Sequence, residues 1–338
     1  MSNNEYKNIR SMVMTRWTRI VLLFAVFHFS FFISSCEKTV DIDEPTDRQL
    51  VLNGVPSAGK RAFVYFATTR FFLDSSNNQY VAPANIVLTV NGIPMTPDSV
   101  SRCRYFFPYV MQEDDTLAID VVTADGREAH ARTYVPRYPD VNNVTVNYFA
   151  STSFNFHMVE MRLDDRAGVA EYYNITVMER DSGMRYNEWA DSLELVDTLH
   201  ATYFLMPYNP EVTSNDVCPF IPLGGYLYSR MMFLDNNIDG QQYPLQLYII
   251  KTIDTNERPP FKHEYLIDVE SVTPARWRYM LSAASQSSMY SFFAEQGQAY
   301  GNVDGALGVF AGTASRHYIF NPDTVGTTPV PVQRRQTK

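Results

Sequence analysis

Few groups of side chains in this sequence stand at spacings that chemistry requires. Gly54-Val-Pro-Ser-Ala-Gly59-Lys60 has the spacing of a phosphate-binding loop and follows an apolar run. Such a loop needs Ser or Thr after its lysine, to hold magnesium, and then a helix whose N-terminus faces the phosphate. Here Arg61 follows the lysine, and Ala62 to Phe66 reads as a strand, so a hairpin loop is expected. Asp235, Asn237 and Asp239, with Gly240 next, put oxygen donors at positions one, three and five of a calcium loop. Position twelve is Gln246, which cannot offer a bidentate carboxylate, and no helix pattern flanks the run. Asp, Asn and Gly also build ordinary turns between strands, so the three residues are a candidate metal set with a plain turn as the competing reading. His130, His157, His200, His263 and His317 show no metal-pair spacing. His263-Glu264 could serve as acid and base but reads as a strand edge, and Asp164-Asp165 reads as a solvated turn. Serines lack a Gly-x-Ser-x-Gly setting. No catalytic set and no cofactor site is expected.

Cys36 stands apart from these. Arg16 and Arg19 precede an almost wholly apolar run from Ile20 to Ile33, and Ile33-Ser34-Ser35-Cys36 follows. The run is too short for a comfortable membrane span of roughly 20 residues. A branched aliphatic, two small residues and a cysteine resemble the lipobox of bacterial lipoproteins. In that chemistry the Cys36 thiol takes up diacylglycerol, residues 1–35 are cut away, and the acylated cysteine becomes the first residue. An ordinary signal peptide or an uncleaved anchor helix is the other reading of the same run. The polar lead from Met1 to Ser11 looks superfluous, so Met12 or Met14 competes with Met1 as the start. Residues 36–48 carry Asp41, Asp43 and Glu44 and read as an acidic tether, similar to the stretch behind the lipidated cysteine in surface-exported lipoproteins of Bacteroidota, or as a solvated spacer. A further pattern is Asp, then Ser or Thr, then a branched apolar residue, at Ser99, Thr116, Ser192, Thr198 and Thr324. It resembles the O-glycosylation acceptor of Bacteroidota; the plain alternative is that such triplets simply start strands.

Composition bounds the rest. The 338 residues are long enough for two domains, and 45% hydrophobic content with 14% aromatics is ample for buried cores. Tyr and Phe, 22 each against three Trp, favour strands. The net charge is -9, and loss of Lys7, Arg10, Arg16, Arg19 and Glu5 with the leader takes it to about -12. So acidic a surface repels phosphate backbones, which argues against nucleic acid as a partner, and it also argues against flat docking on anionic lipid. Cys103 and Cys218 remain after Cys36 is set aside. An oxidising compartment permits a disulfide between them, and two separate buried thiols are the alternative.

Turn residues break residues 49–137 into about six short strands. Leu117, Ile119 and Val121 alternate with polar or small neighbours, and Asn91-Gly92 signals a tight turn. The expected fold class is mainly β, with an immunoglobulin-like sandwich at 49–137. Pro136 and Pro139 mark a boundary. A larger β-rich domain is expected over 138–320, with one helix at 274–295 capped by Thr273 and lined on one face by Trp277, Met280 and Leu281. Gly305–Phe310 and His317–Phe320 read as a returning strand pair. Residues 321–338 are Pro/Thr-rich and read as a disordered tail.

Four stretches, taken in order, resemble a Bacteroidota lipoprotein family defined by domain of unknown function 4249. They are Cys36-Glu-Lys38 leading to Leu50-Val-Leu-Asn-Gly54; the hairpin Asp115 to Gly126 with Ala131-Arg-Thr-Tyr-Val-Pro136; Phe233-Leu-Asp235 through Asp239-Gly240; and Asn302-Val-Asp-Gly-Ala-Leu-Gly-Val-Phe310. Ala306 stands where the family pattern has a second glycine. The resemblance implies a lipoprotein of the outer envelope, often encoded beside TonB-dependent transporters, and implies no catalytic residues. The expected role is a lipid-anchored outer-membrane accessory or binding protein that partners such a transporter or its cargo. A surface adhesin or structural lipoprotein is the alternative. A hydrolase would require a nucleophile-base pair or a carboxylate cleft.

Overall fold

The computed structural model describes residues 48–69, 83–150, 155–187, 189–202, 204–206, 217–218, 226–228, 230–251, 257–287, 299–321 and 330–331. Cys36, the leader, nearly all of the tether and Thr324 lie outside them. From Asp47 onward the chain forms one compact unit. It is mainly β, with antiparallel sheets and a single α-helix among the described residues, as the alternation of apolar and polar residues predicts.

The first core lies between two four-stranded sheets. Their strands are β1 (Leu50–Asn53), β2 (Arg61–Thr68), β3 (Pro83–Val90), β4 (Ile93–Met95), β5 (Ser99–Ser101), β6 (Arg104–Val110), β7 (Thr116–Thr123) and β8 (Glu128–Tyr134). One sheet runs β1-β2-β6-β5 and the other β4-β3-β7-β8. Period-2 side chains aim Leu52, Val64, Phe66 and Phe107 of the first sheet at Leu88, Ile119 and Val121 of the second. The Gly54–Lys60 stretch is the β1–β2 connection and runs into a strand, which no phosphate loop does. Asn91 (φ 50°) and Gly92 (φ 83°) form the expected tight turn between β3 and β4, where both residues need the left-handed region. Cys103 is a free, half-buried thiol in the β5–β6 turn and is not bridged to Cys218.

The second core lies between two larger sheets built from β9 (Val141–Ala150), β10 (Asn155–Asp164), β11 (Tyr172–Asn187), β12 (Ser192–Ala201), β13 (Phe204–Met206), β14 (Val217–Cys218), β15 (Tyr226–Tyr228), β16 (Arg230–Leu234), β17 (Gln242–Lys251), β18 (Glu257–Val272), β19 (Thr313–Phe320) and β20 (Val330–Pro331). The orders are β14-β15-β13-β17-β10-β9 and β12-β11-β18-β19-β20, and β16 covers the part of β11 that β12 leaves open. Val159, Leu163 and Leu247 of one sheet meet Tyr173, Ile175, Ile267 and Val269 of the other. β20 falls within the tail expected to be disordered. A Pro/Thr-rich composition conceals it, because two residues need only backbone partners on the open edge of β19 to pair.

The helix α1 (Pro274–Ser287) starts where its cap predicts. The Thr273 carbonyl accepts from the Trp277 amide at 2.9 Å, and the Arg276 amide points at Thr273 Oγ1 at 3.4 Å. Trp277 and Met280 bury against Met232 and Val272 in a third, small core. The expected extension of the helix to 295 lies outside the described residues. Among the described residues no helix is long and apolar enough to cross a membrane.

Gly305–Phe310 is not half of a strand pair. Residues 301–313 run as an extended return segment that touches both sheets of the first sandwich through isolated bridges: Leu307 beside Val51, Phe310 beside Gly54, and Asp304 beside His130. Phe310 is buried in the first core. Asn302 fastens the segment to itself, its side chain accepting from the Phe310 amide at 2.8 Å and donating to the Phe310 carbonyl at 2.9 Å. Sequence alternation cannot reveal this, because a chain pairing with strand edges through a few bridges has no period.

Candidate functional site

The inward face of β11 changes character along its length. Tyr173, Ile175 and Val177 are core residues, and the next two on that face are Glu179 and Asp181. Residues at i and i+2 on a strand point the same way, so both carboxylates face the end of the second core. Strand register supplies their neighbours. Glu179 lies between His200 of β12 and Tyr265 of β18, and Asp181 between Thr198 and His263. His263 Nδ1 stands 2.8 Å from Asp181 Oδ1 and 3.2 Å from Glu179 Oε1. The three side chains are only 9 to 12% exposed. Burial pushes the Glu179 carboxyl up, but hydrogen bonds from His263 and Tyr265 outweigh it and hold the group below the usual carboxylate range. Glu179, Asp181 and His263 are the one set of three His, Cys, Asp or Glu side chains among the described residues whose ligand atoms converge, all within 4.8 Å of one another. Such a triad can hold a proton or a cation between its members.

A second group of carboxylates braces a turn. Asp235 Oδ2 accepts from the Glu171 amide at 2.5 Å, and Asp239 Oδ1 accepts from the Gly168 amide at 2.6 Å. Asp165 Oδ2 accepts from the Gly240 amide at 2.9 Å. The buried hydroxyl of Tyr173 donates to Asp165 at 2.8 Å and to Glu171 at 2.9 Å, and Arg166 pairs with Glu171. Burial, with Glu171 and Asp235 close by, raises the Asp165 carboxyl; burial, with Glu171 and Asp239, raises that of Asp235. Asp235, Asn237 and Asp239 therefore do the work of a turn. Two of their carboxylates cap backbone amides of the 165–171 loop, and Asn237 is exposed in a short 3-10 turn.

The remaining expected sites lie on the surface or outside the described residues. Ser99, Thr116, Ser192 and Thr198 are all exposed on strands, while Thr324 and Cys36 fall outside the described residues. Ser192 and Thr198 belong to β12, which forms a long hairpin with β11. The outward side of that hairpin carries exposed apolar side chains around the Arg180–Asp197 ion pair: Trp189 at its tip is fully exposed, Leu195 is 78% exposed, and Leu193 and Leu199 are exposed as well. Where the two sandwiches meet, Arg137 pairs with Asp114 at 2.7 Å, and the Arg316 guanidinium lies 4.6 Å from the Tyr138 ring centre. Cavities of about 240 and 300 Å³ flank this seam, sharing Arg137, Arg166 and Glu171. Both are at the small end for ligand sites.

Sequence reading missed the triad. His263 is 82 residues from Asp181 along the chain. The one local signal is a Glu-x-Asp pair continuing the apolar face of a strand, and Asp181-Ser-Gly183 after it mimics a turn.

Two antiparallel sandwiches, joined by a glycine-rich return segment and carrying, among the described residues, one outer helix, define a mainly β module. Residues 37–319 match the family model described as Domain of unknown function (DUF4249), and the chain belongs to that family. No curated protein matches the chain.

Proposed function

We propose that this protein is a lipid-anchored accessory protein of the outer membrane that binds a partner there, a TonB-dependent transporter or its cargo, without catalysing a reaction. The observation that carries the binding role is the apolar outer side of the β11–β12 hairpin. Three exposed leucines and a fully exposed tryptophan on one edge hairpin present apolar area that water disfavours and a partner can cover, with the exposed Arg180–Asp197 ion pair between Leu195 and Leu199. The anchor rests on the Ile33-Ser-Ser-Cys36 sequence. The strand order β1-β2-β6-β5 facing β4-β3-β7-β8 supports an immunoglobulin-like reading of the first sandwich, a fold common in extracytoplasmic binding modules.

Affinity purification of the tagged full-length protein from its native envelope is expected to recover an outer-membrane barrel. Leu195→Asp with Leu199→Asp should cut that recovery at least several-fold while leaving the melting temperature almost unchanged, because exposed positions tolerate substitution. Equal recovery by the double variant, or repeated isolation of the protein alone, removes the reading. In the same material, peptides spanning Ser99, Thr116, Ser192 and Thr198 are expected to carry glycan mass. Their exposed hydroxyls are open to a transferase. Uniformly unmodified peptides from the native host count against glycosylation.

A further inference from the structure

We propose that Glu179, Asp181 and His263 form a binding site for a divalent first-row transition cation, with zinc the ion that fits best. The donor set is one imidazole nitrogen and two carboxylate oxygens. Calcium and magnesium prefer all-oxygen cages, whereas an imidazole beside carboxylates suits zinc and its neighbours. The spacing agrees. Donors held about 2.1 Å from one ion lie roughly 3.0–3.4 Å from each other, and His263 Nδ1 lies 2.8 Å and 3.2 Å from the two carboxylate oxygens. The donors stand on adjacent hydrogen-bonded strands, β11 and β18, so they are fixed by a sheet rather than by a loop.

The surroundings are those of an ion site as well. Arg185 Nη2 lies 3.6 Å from Asp181 Oδ2, the oxygen turned away from His263, and so orients the carboxylate. Tyr265 hydrogen-bonds Glu179 from the opposite side to His200. His200 Nε2, on the edge strand β12, lies 3.7 Å from Glu179 Oε2, the oxygen that does not face His263, and braces that carboxylate from the solvent side. Two nearly buried carboxylates side by side repel each other, and a dication between them offsets that repulsion. Neither the anchor nor the envelope partner is needed for this site.

Isothermal titration of the EDTA-stripped, full-length protein with zinc tests the proposal. One zinc ion per chain and a rise in melting temperature are expected, with no comparable response to calcium. His263→Gln is expected to weaken zinc at least about tenfold. Should that variant fail to fold, His200→Ala carries the test, since it alters an exposed edge residue that braces the Glu179 carboxylate and is expected to weaken zinc several-fold. A wild-type protein that ignores zinc overturns the proposal and leaves a plain ion triad. So does zinc binding that is unchanged in both variants, or calcium binding as tight as zinc.

Discussion

Gly312→Ala is expected to destabilise the protein by about 3 kcal/mol or more, a large effect for a residue outside the hydrophobic cores. A Cβ built at residue 312 would lie 1.9 Å from the Tyr134 carbonyl oxygen, 2.9 Å from its carbon and 3.1 Å from Val135 Cα. All three are backbone atoms at the end of β8, and none can rotate aside. Relief requires the return segment to lift away. That movement breaks the bonds at this point: the Gly312 amide to Thr133 Oγ1 at 3.2 Å, the Thr273 amide to the Gly312 carbonyl at 3.1 Å, and the Thr313 amide to the Pro56 carbonyl at 2.9 Å. It also loosens Phe310 in the first core. Gly308 has φ 121°, and a Cβ there would lie 2.1 Å from the Leu52 carbonyl oxygen, so its replacement by Ala should act similarly. Gly126 provides the contrast. Its φ is 83°, but nothing lies within 4 Å, so Ala there is expected to cost only the left-handed strain, about 1 kcal/mol. Urea midpoints of the three variants decide the matter. If Gly312→Ala loses no more than Gly126→Ala, the return segment does not hold the first sandwich closed.

Tyr173→Phe is expected to cost about 2–3 kcal/mol at neutral pH. The ring stays, and so does its packing against Phe233 at 5.2 Å between centres. What goes is one hydroxyl near two buried carboxylates, Asp165 and Glu171. Each keeps other partners, Gly240 for Asp165 and Arg166 for Glu171, so the turn survives but with stronger mutual repulsion. The pH dependence has a definite sign. A carboxyl whose folded pKa is raised, as for Asp165 and Asp235, contributes stability that is fully present below its unfolded pKa of about 4 and lost as pH rises through the folded value. Removing the Tyr173 hydroxyl takes away a hydrogen bond that lowers the Asp165 pKa, so the variant raises that value further. The deficit of the variant relative to the parent should therefore shrink as pH falls from neutral toward about 4. Chemical denaturation of both proteins across that range measures the difference, in which the shared titration of distant groups such as Glu179 cancels. A deficit that is constant or grows on acidification would mean that the hydroxyl does not stabilise charged carboxylates.

Strand content and the helix start were legible along the chain because both are local. The alternation of Leu117, Ile119 and Val121 marks β7, since a strand half-buried in a sandwich must change face at every residue. Thr273-Pro274 marks the start of α1, since capping depends on neighbours within a turn. The lipobox cysteine is likewise a local expectation. Alternation fails on β12, whose burial pattern shows a single buried residue, Val196, because an edge hairpin has solvent on both faces. β11 runs eight residues past Glu179 although Asp181-Ser-Gly183 suggests a turn; pairing with β18 on one side and β12 on the other holds it extended.

What tertiary structure alone decided were meetings between residues far apart. Asp165, Glu171 and Asp235 converge because β16 lies alongside β11, and that pairing makes the would-be calcium loop a braced turn. Glycines 305, 308 and 312 are needed because backbone atoms of Glu128, Leu52 and Tyr134, which are more than 170 residues earlier, occupy the space of their side chains. His263 reaches Glu179 and Asp181 only through the register of two long strands. Spacing along a chain reports contacts within a few residues; once loops of this length close, proximity is set by sheet pairing, which composition and periodicity do not encode.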